Sequence, residues 1–149
     1  MTLKAFIFLV TLYIFASCGS SDAPQDVESL RQEGSKSLTS IQWIDSVRNF
    51  GNITEGQKLA LSFRFKNTGD KPLVIQSVEP ACGCTVADYP KQPLKPGEEG
   101  EITGEFNSDG RVGQQHKEIT VTTNTAMRTQ NVIFEVNVVA KPVKAANNQ

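Results

Sequence analysis

From Ile41 onward, apolar and polar positions alternate with a period of two. Leu59, Leu61, Phe63 and Phe65 alternate with Ala60, Ser62, Arg64 and Lys66, the pattern of a strand with one buried face. Asn67-Thr68-Gly69-Asp70 reads as a turn, Leu73–Val78 as the next strand, and Pro93-Leu94-Lys95-Pro96-Gly97 as a rigid turn. Ile102, Gly104 and Phe106 then alternate with Glu101, Thr103 and Glu105, and Ile119–Thr122 and Val132–Val139 supply two further strands. Beyond the N-terminal segment, no window of about ten residues carries a helical stripe. Short strands with turns between them predict an all-β fold, an antiparallel β-sandwich of about seven to eight strands. Without helices to serve as crossovers, a parallel sheet is not expected.

The N-terminus follows a different pattern. Lys4 gives a short positive start, and Ala5–Ala16 is an almost unbroken apolar run. About 20 apolar residues are needed to span a bilayer, so this run reads as the core of a signal peptide over residues 1–17. It ends in Phe15-Ala16-Ser17-Cys18, which resembles a bacterial lipobox with Phe15 in place of the usual leucine. Cys18 is therefore the expected lipidation site, and several acyl chains on it would anchor the protein stably. The alternative is an ordinary secretory signal cleaved near Ala16-Ser17, which would leave an exposed thiol. Gly19 follows the cysteine where an aspartate would resemble an inner-membrane retention signal, so outer-membrane sorting is expected. Residues 18–38 are polar with few apolar positions and read as a flexible, solvated tether, in which a weak helical turn around Val27–Gln32 has no assigned role. The domain is then expected over residues 39–141, with a short tail at 142–149.

Composition narrows the function. The 149 residues are 38% hydrophobic, too apolar for a disordered chain and enough for one core rather than two domains. The formal net charge is −1 from 15 basic and 16 acidic residues, and loss of Lys4 with the signal peptide makes it 14 − 16 = −2. That balance gives no electrostatic reason to bind nucleic acid.

Four motifs follow in order: Asn67-Thr68-Gly69-Asp70-Lys71-Pro72-Leu73-Val74-Ile75, Cys82-Gly83-Cys84-Thr85, Lys95-Pro96-Gly97-Glu98, and Lys117-Glu118-Ile119-Thr120-Val121-Thr122-Thr123-Asn124. Together they closely resemble a family of secreted bacterial proteins, the DUF1573 domain, over about residues 41–140. That family is similar to the immunoglobulin-like sandwiches of the ASPM/SPD-2/Hydin and major-sperm-protein type. The resemblance implies the fold and carries no activity or catalytic residue with it.

Cys82-Gly83-Cys84 is the sharpest chemical feature. If Cys18 is acylated, two of the three cysteines remain, an even number suited to an oxidising compartment. On a flat strand their Cα atoms would lie about 6.6 Å apart, near the upper limit for a disulfide, so closure requires a bend that a glycine permits. Three readings stand side by side: a structural disulfide or idle buried thiols, a thiol–disulfide exchange site, and a Cu(I) site of two thiolates. Zinc needs four ligands, and the single histidine, His116, is distant in sequence and expected on an exposed face. Met127 is a candidate thioether ligand or a turn residue. The exchange reading lacks the Cys-x-x-Cys spacing and a helix N-terminus.

The remaining candidates are weaker. Glu98, Glu99 and Glu101 cluster in a Pro-Gly turn as solvated charges, and no phosphate loop or nucleophile elbow is present. Trp43 and Tyr89 could meet a partner or pack at the sandwich edge. Asp45-Ser46-Val47 resembles an O-glycosylation motif with Ser46 as acceptor, and Asn52-Ile53-Thr54 is a sequon by pattern. No cofactor or catalytic constellation is expected. Two functions remain: a non-enzymatic binding or structural module held on the cell envelope by lipid, with a protein or envelope component as partner, or a thiol-redox or Cu(I)-handling protein acting through Cys82 and Cys84. A domain of the first kind would recognise its partner through end loops or by adding a strand to an open edge.

Overall fold

The structure, a computed structural model, describes residues 27–142. A helix, α1 (Val27–Lys36), precedes eight strands: β1 (Ile41–Trp43), β2 (Val47–Thr54), β3 (Lys58–Asn67), β4 (Ile75–Pro80), β5 (Thr85–Asp88), β6 (Glu99–Asn107), β7 (Gly113–Thr123) and β8 (Thr129–Val139). They form two four-stranded sheets, ordered β1-β3-β6-β5 and β2-β8-β7-β4. The all-β sandwich expected from the alternation is therefore present. Phe63, Phe65, Ile102 and Phe106 of one sheet and Val121, Val132, Phe134 and Val136 of the other are wholly buried between the layers. Phe106 and Phe134 meet across the core edge-to-face at 5.4 Å, and Phe50 closes on Phe134 at 6.4 Å. Burial of each such side chain contributes roughly 1.5–3 kcal/mol. Among the described residues no helix is long and apolar enough to cross a membrane.

Three features differ from the pattern-based reading. First, β2 pairs with β8 in parallel, so the second sheet is mixed rather than purely antiparallel. Consecutive strands that pair in parallel need a long crossover connection, usually a helix. Here the strands from β3 to β7 connect the two, and no helix is required. Second, the strand expected over 73–78 runs over Ile75–Pro80. Leu73 instead exchanges backbone hydrogen bonds with Leu94 (2.8 and 2.9 Å), and the Val74 N–H donates to Asn124 Oδ1 at 2.8 Å. These polar pairings draw residues 73 and 74 out of the ladder although their side chains are buried. Third, the described part of the expected tether is not solvated coil: α1 is a ten-residue helix seated on the sandwich. Among its described side chains the attachments are polar atoms and a close-packed glycine, which carry no hydrophobic signal to read.

The registers Lys66↔Glu99 and Thr122↔Thr129 place loops 68–74, 89–98 and 124–128, with the linker 37–40, at one end of the sandwich. The pairings Lys58↔Asn107 and Thr85↔Phe106 set the β4–β5 connection toward the other end. β4 and β5 are edge strands of different sheets, so this connection wraps the side of the sandwich.

Candidate functional site

The chain's motif residues separate into two places. Asn67, Gly69 and Asn124, with the Lys95-Pro96-Gly97 turn, gather at the loop-rich end, and Cys82-Gly83-Cys84 occupies the β4–β5 corner.

Asn67 is wholly buried. Its Nδ2 donates to the carbonyls of Lys71 (2.8 Å) and Leu94 (3.0 Å), and its Oδ1 accepts from Thr39 Oγ1 (3.0 Å) and the Gly69 N–H (3.1 Å). The Asn67 backbone also exchanges bonds with Glu98 and Gly97, each at 2.9 Å. One amide side chain thus fixes the Asn-Thr-Gly turn, the Lys-Pro-Gly turn and the incoming linker. Gly69 has to be glycine for this: a Cβ there would lie 2.6 Å from the Ser40 nitrogen.

Asn124, 3% exposed, does the same on the second sheet. Its Nδ2 donates to the carbonyls of Gly34 (2.9 Å), Ser37 (2.8 Å) and Pro72 (2.9 Å) while Oδ1 accepts from Val74. Arg31 completes the seating of α1, donating to the carbonyls of Ile75 (2.9 Å), Gln76 (3.1 Å) and Lys91 (3.2 Å). Gly34 is buried in this contact, where a Cβ would lie 2.9 Å from Val74 Cγ2. Glycine inside a helix costs about 0.5–1 kcal/mol against alanine, so its presence marks the close approach. No buried side-chain nitrogen or oxygen lacks a hydrogen-bond partner among the described residues. Sequence reasoning placed both asparagines in motifs without assigning them roles, and Arg31 carried no signal beyond its position three residues before Gly34.

At the corner, Cys82 and Cys84 form a disulfide, with an S–S distance of 2.04 Å and Cα atoms 5.3 Å apart. The bend expected at Gly83 shortens the span from that of a flat strand. Cys84 is 7% exposed and belongs to the core, whereas Cys82 is half-buried beside it. Thr85 Oγ1 lies 3.9 Å from Cys82 Sγ and 4.0 Å from Cys84 Sγ. An attacking thiol would reach Cys82 and expel the Cys84 thiolate into an apolar surround, which disfavours charge. As a pair the cysteines tie the strand switch between sheets, with Ala81 N donating to Glu118 (3.0 Å) and Asn107 N to Cys84 (2.9 Å) on either side.

The other sequence candidates do not converge. His116 lies within β7, exposed, with Nδ1 3.2 Å from Glu135 Oε1. Met127 is 72% exposed in the β7–β8 loop. Among the described residues no three His, Cys, Asp or Glu side chains are grouped to hold a metal. Trp43 packs edge-on against Phe65 at 5.5 Å and donates to Gln130 Oε1 at 2.9 Å, and the Tyr89 hydroxyl donates to Gln76 at 3.3 Å. Both aromatics are packing residues at the edges. Glu98 accepts from the Lys95 N–H at 2.7 Å, Glu99 pairs with Lys66 at 3.5 Å, and Glu101 bonds Ser62. Ser46 is half-buried in the bend between β1 and β2, its carbonyl accepting from Ile133 N at 2.8 Å. The neighbouring Asp45 carboxyl is held below its ordinary range by the hydrogen bond from Arg64 at 2.7 Å. Cys18 lies outside the described residues.

Comparison with known proteins agrees with this architecture. A protein of unknown function from Porphyromonas gingivalis W83 is similar with a TM-score of 0.58 at 13% identity, covering 67% of this chain and 47% of its own. The ASH/PapD-like domain 7 of human CEP192 is similar with a TM-score of 0.53 at 11% identity, covering 70% of this chain and 88% of its own. The secreted serine protease VesC from Vibrio cholerae is similar with a TM-score of 0.52 at 10% identity over 72% of this chain. This chain spans about half the length of the Porphyromonas protein and a quarter of the protease. At these identities the likeness is one of fold. No curated protein matches the chain in sequence. The family model described as "Protein of unknown function (DUF1573)" matches residues 41–138, more than half of the chain and nearly all of the sandwich, and the chain belongs to that family.

Proposed function

We propose that this chain is a cell-envelope lipoprotein, anchored through Cys18, whose immunoglobulin-like domain is a non-enzymatic binding or structural module. The observation that carries the reading is how the motif side chains are spent. Asn67 and Asn124 are saturated by bonds that hold loops, and the two sulfurs are joined to each other. Loops 68–74, 89–98 and 124–128 are thereby held in one arrangement, and a preorganised surface loses little entropy when a partner docks.

End-loop recognition is favoured over strand addition. β1 has only three residues, β2 is irregular between Asn49 and Asn52, and the start of the β4 edge is occupied by Arg31 and Tyr89. Short, bulged or covered edges resist a further strand. The partner is accordingly a protein or other envelope component that meets the loop end, with the domain at the outer membrane on its periplasmic or outer face.

Fractionation and capture test the two parts separately. Cys18→Ser should leave the membrane fraction or remain at precursor mass, and unchanged acylation would sink the anchor. Cross-linking in intact cells should recover a partner that Lys71→Glu and Lys95→Glu in the end loops lose. Recovery unaffected by those changes but abolished by edge substitutions in β2 would exclude end-loop recognition.

A further inference from the structure

We infer that α1 is a releasable strap, and that its seating on the sandwich sets how far the domain can stand from its lipid anchor. The inference rests on the proposed anchor at Cys18. Three observations build the strap. Arg31 reaches across to three backbone carbonyls, Asn124 grips the helix C-terminus through Gly34 and Ser37, and Gly34 allows an approach that any side chain would block. Arg31 and Gly34 stand three residues apart, which puts both on one face of the helix. Among the described residues no side chain of the strap belongs to the hydrophobic core, and a free helix of ten residues is marginal in water. Seated and melted states are thus the two available to it, with the sandwich unchanged beneath.

Seating changes reach. With Arg31 clamped, Cys18 and Val27 are nine residue steps apart, a separation of at most about 30 Å. With the strap released, the first fixed residue is Thr39, whose N–H donates to the Asn124 carbonyl at 3.1 Å. Cys18 and Thr39 are 21 residue steps apart, a separation of at most about 70 Å. In the seated state Glu33, Gly34 and Ser37 form one wall of an open groove of about 440 Å³ opposite Pro72, Gln92 and Pro93, and release would dismantle it.

The test uses the full-length lipidated chain in phosphatidylcholine vesicles that carry dansyl-labelled lipid. Trp43, the only tryptophan, serves as the energy-transfer donor. In the wild type, amides of residues 27–37 should be protected from hydrogen exchange and trypsin should cut slowly after Arg31. Gly34→Leu keeps helix propensity but blocks seating. It should raise cleavage after Arg31 by at least about tenfold, speed exchange of residues 27–37 alone, and lower transfer from Trp43 to the lipid. Arg31→Gln should speed the same exchange, with cleavage read after Lys36. Wild-type amides of residues 27–37 that exchange at free-peptide rates would overturn the strap, and so would unchanged cleavage in Gly34→Leu. Release without any fall in energy transfer would overturn the reach. A wild type that is protected at Arg31 but does not enter the vesicles would instead fail the anchor at Cys18 and, with it, the reach.

Discussion

Replacing Asn124 by alanine tests the scaffold most directly. The substitution removes one acceptor and the two Nδ2 hydrogens shared among three carbonyls. The Val74 N–H and the Gly34 carbonyl are left in buried surroundings, at roughly 1–3 kcal/mol each for a stranded polar group. The Ser37 and Pro72 carbonyls sit partly exposed, so water can replace the amide and their loss is nearer about 0.5 kcal/mol each. The sum is about 3–7 kcal/mol, a large share of the roughly 5–15 kcal/mol that holds a domain of this size. Urea unfolding should show a midpoint lowered by that amount divided by the slope, with the slope itself unchanged. Asn124→Asp is the sharper control, because it keeps the size and the acceptor but turns oxygen toward three carbonyl oxygens. At neutral pH it should destabilise at least as much as alanine. A loss below about 1 kcal/mol in both variants would mean that water or relaxation replaces the side chain, and the holding role assigned to this asparagine would be wrong.

Two further outcomes are expected. Replacing Cys82 and Cys84 together by serine should cost less than the ~2–4 kcal/mol typical of longer disulfide loops, because the ring is short. Tight stoichiometric Cu(I) binding by the reduced wild type, lost on mutation of either cysteine, would instead support the metal reading. The Asp45 carboxyl should titrate below an ordinary aspartate by carbon-detected NMR and return toward the ordinary value in Arg64→Gln, since the Arg64 hydrogen bond is the largest cause of its shift. Its folded-state pKa is depressed, so its small stabilising contribution is present above the unfolded-state value and is lost as pH falls through the folded-state value. An unchanged midpoint in Arg64→Gln would refute that cause.

The sequence by itself determined the layers. Strict alternation from Leu59 to Phe65 and from Ile102 to Phe106 assigns each side chain to a face, because a strand repeats every two residues. Of the side chains so assigned to the interior, Leu61, Phe63, Phe65, Ile102 and Phe106 are buried, while Leu59 near the strand start is partly buried. The closeness of Cys82 and Cys84 was legible too, since two residues of chain leave them little room to part. Tertiary structure decided the rest. The parallel pairing of β2 with β8 is a long-range choice that no local period encodes. The strand after the Asn-Thr-Gly turn starts two residues later than its apolar run because a distant amide, Asn124, takes the Val74 N–H. The same amide, with Arg31 and the bare backbone of Gly34, turns a polar segment that reads as solvent-borne tether into a seated helix. Hydrophobic periodicity records which residues leave water. It does not record which polar atoms find one another, and at this end of the sandwich those pairings fix the structure.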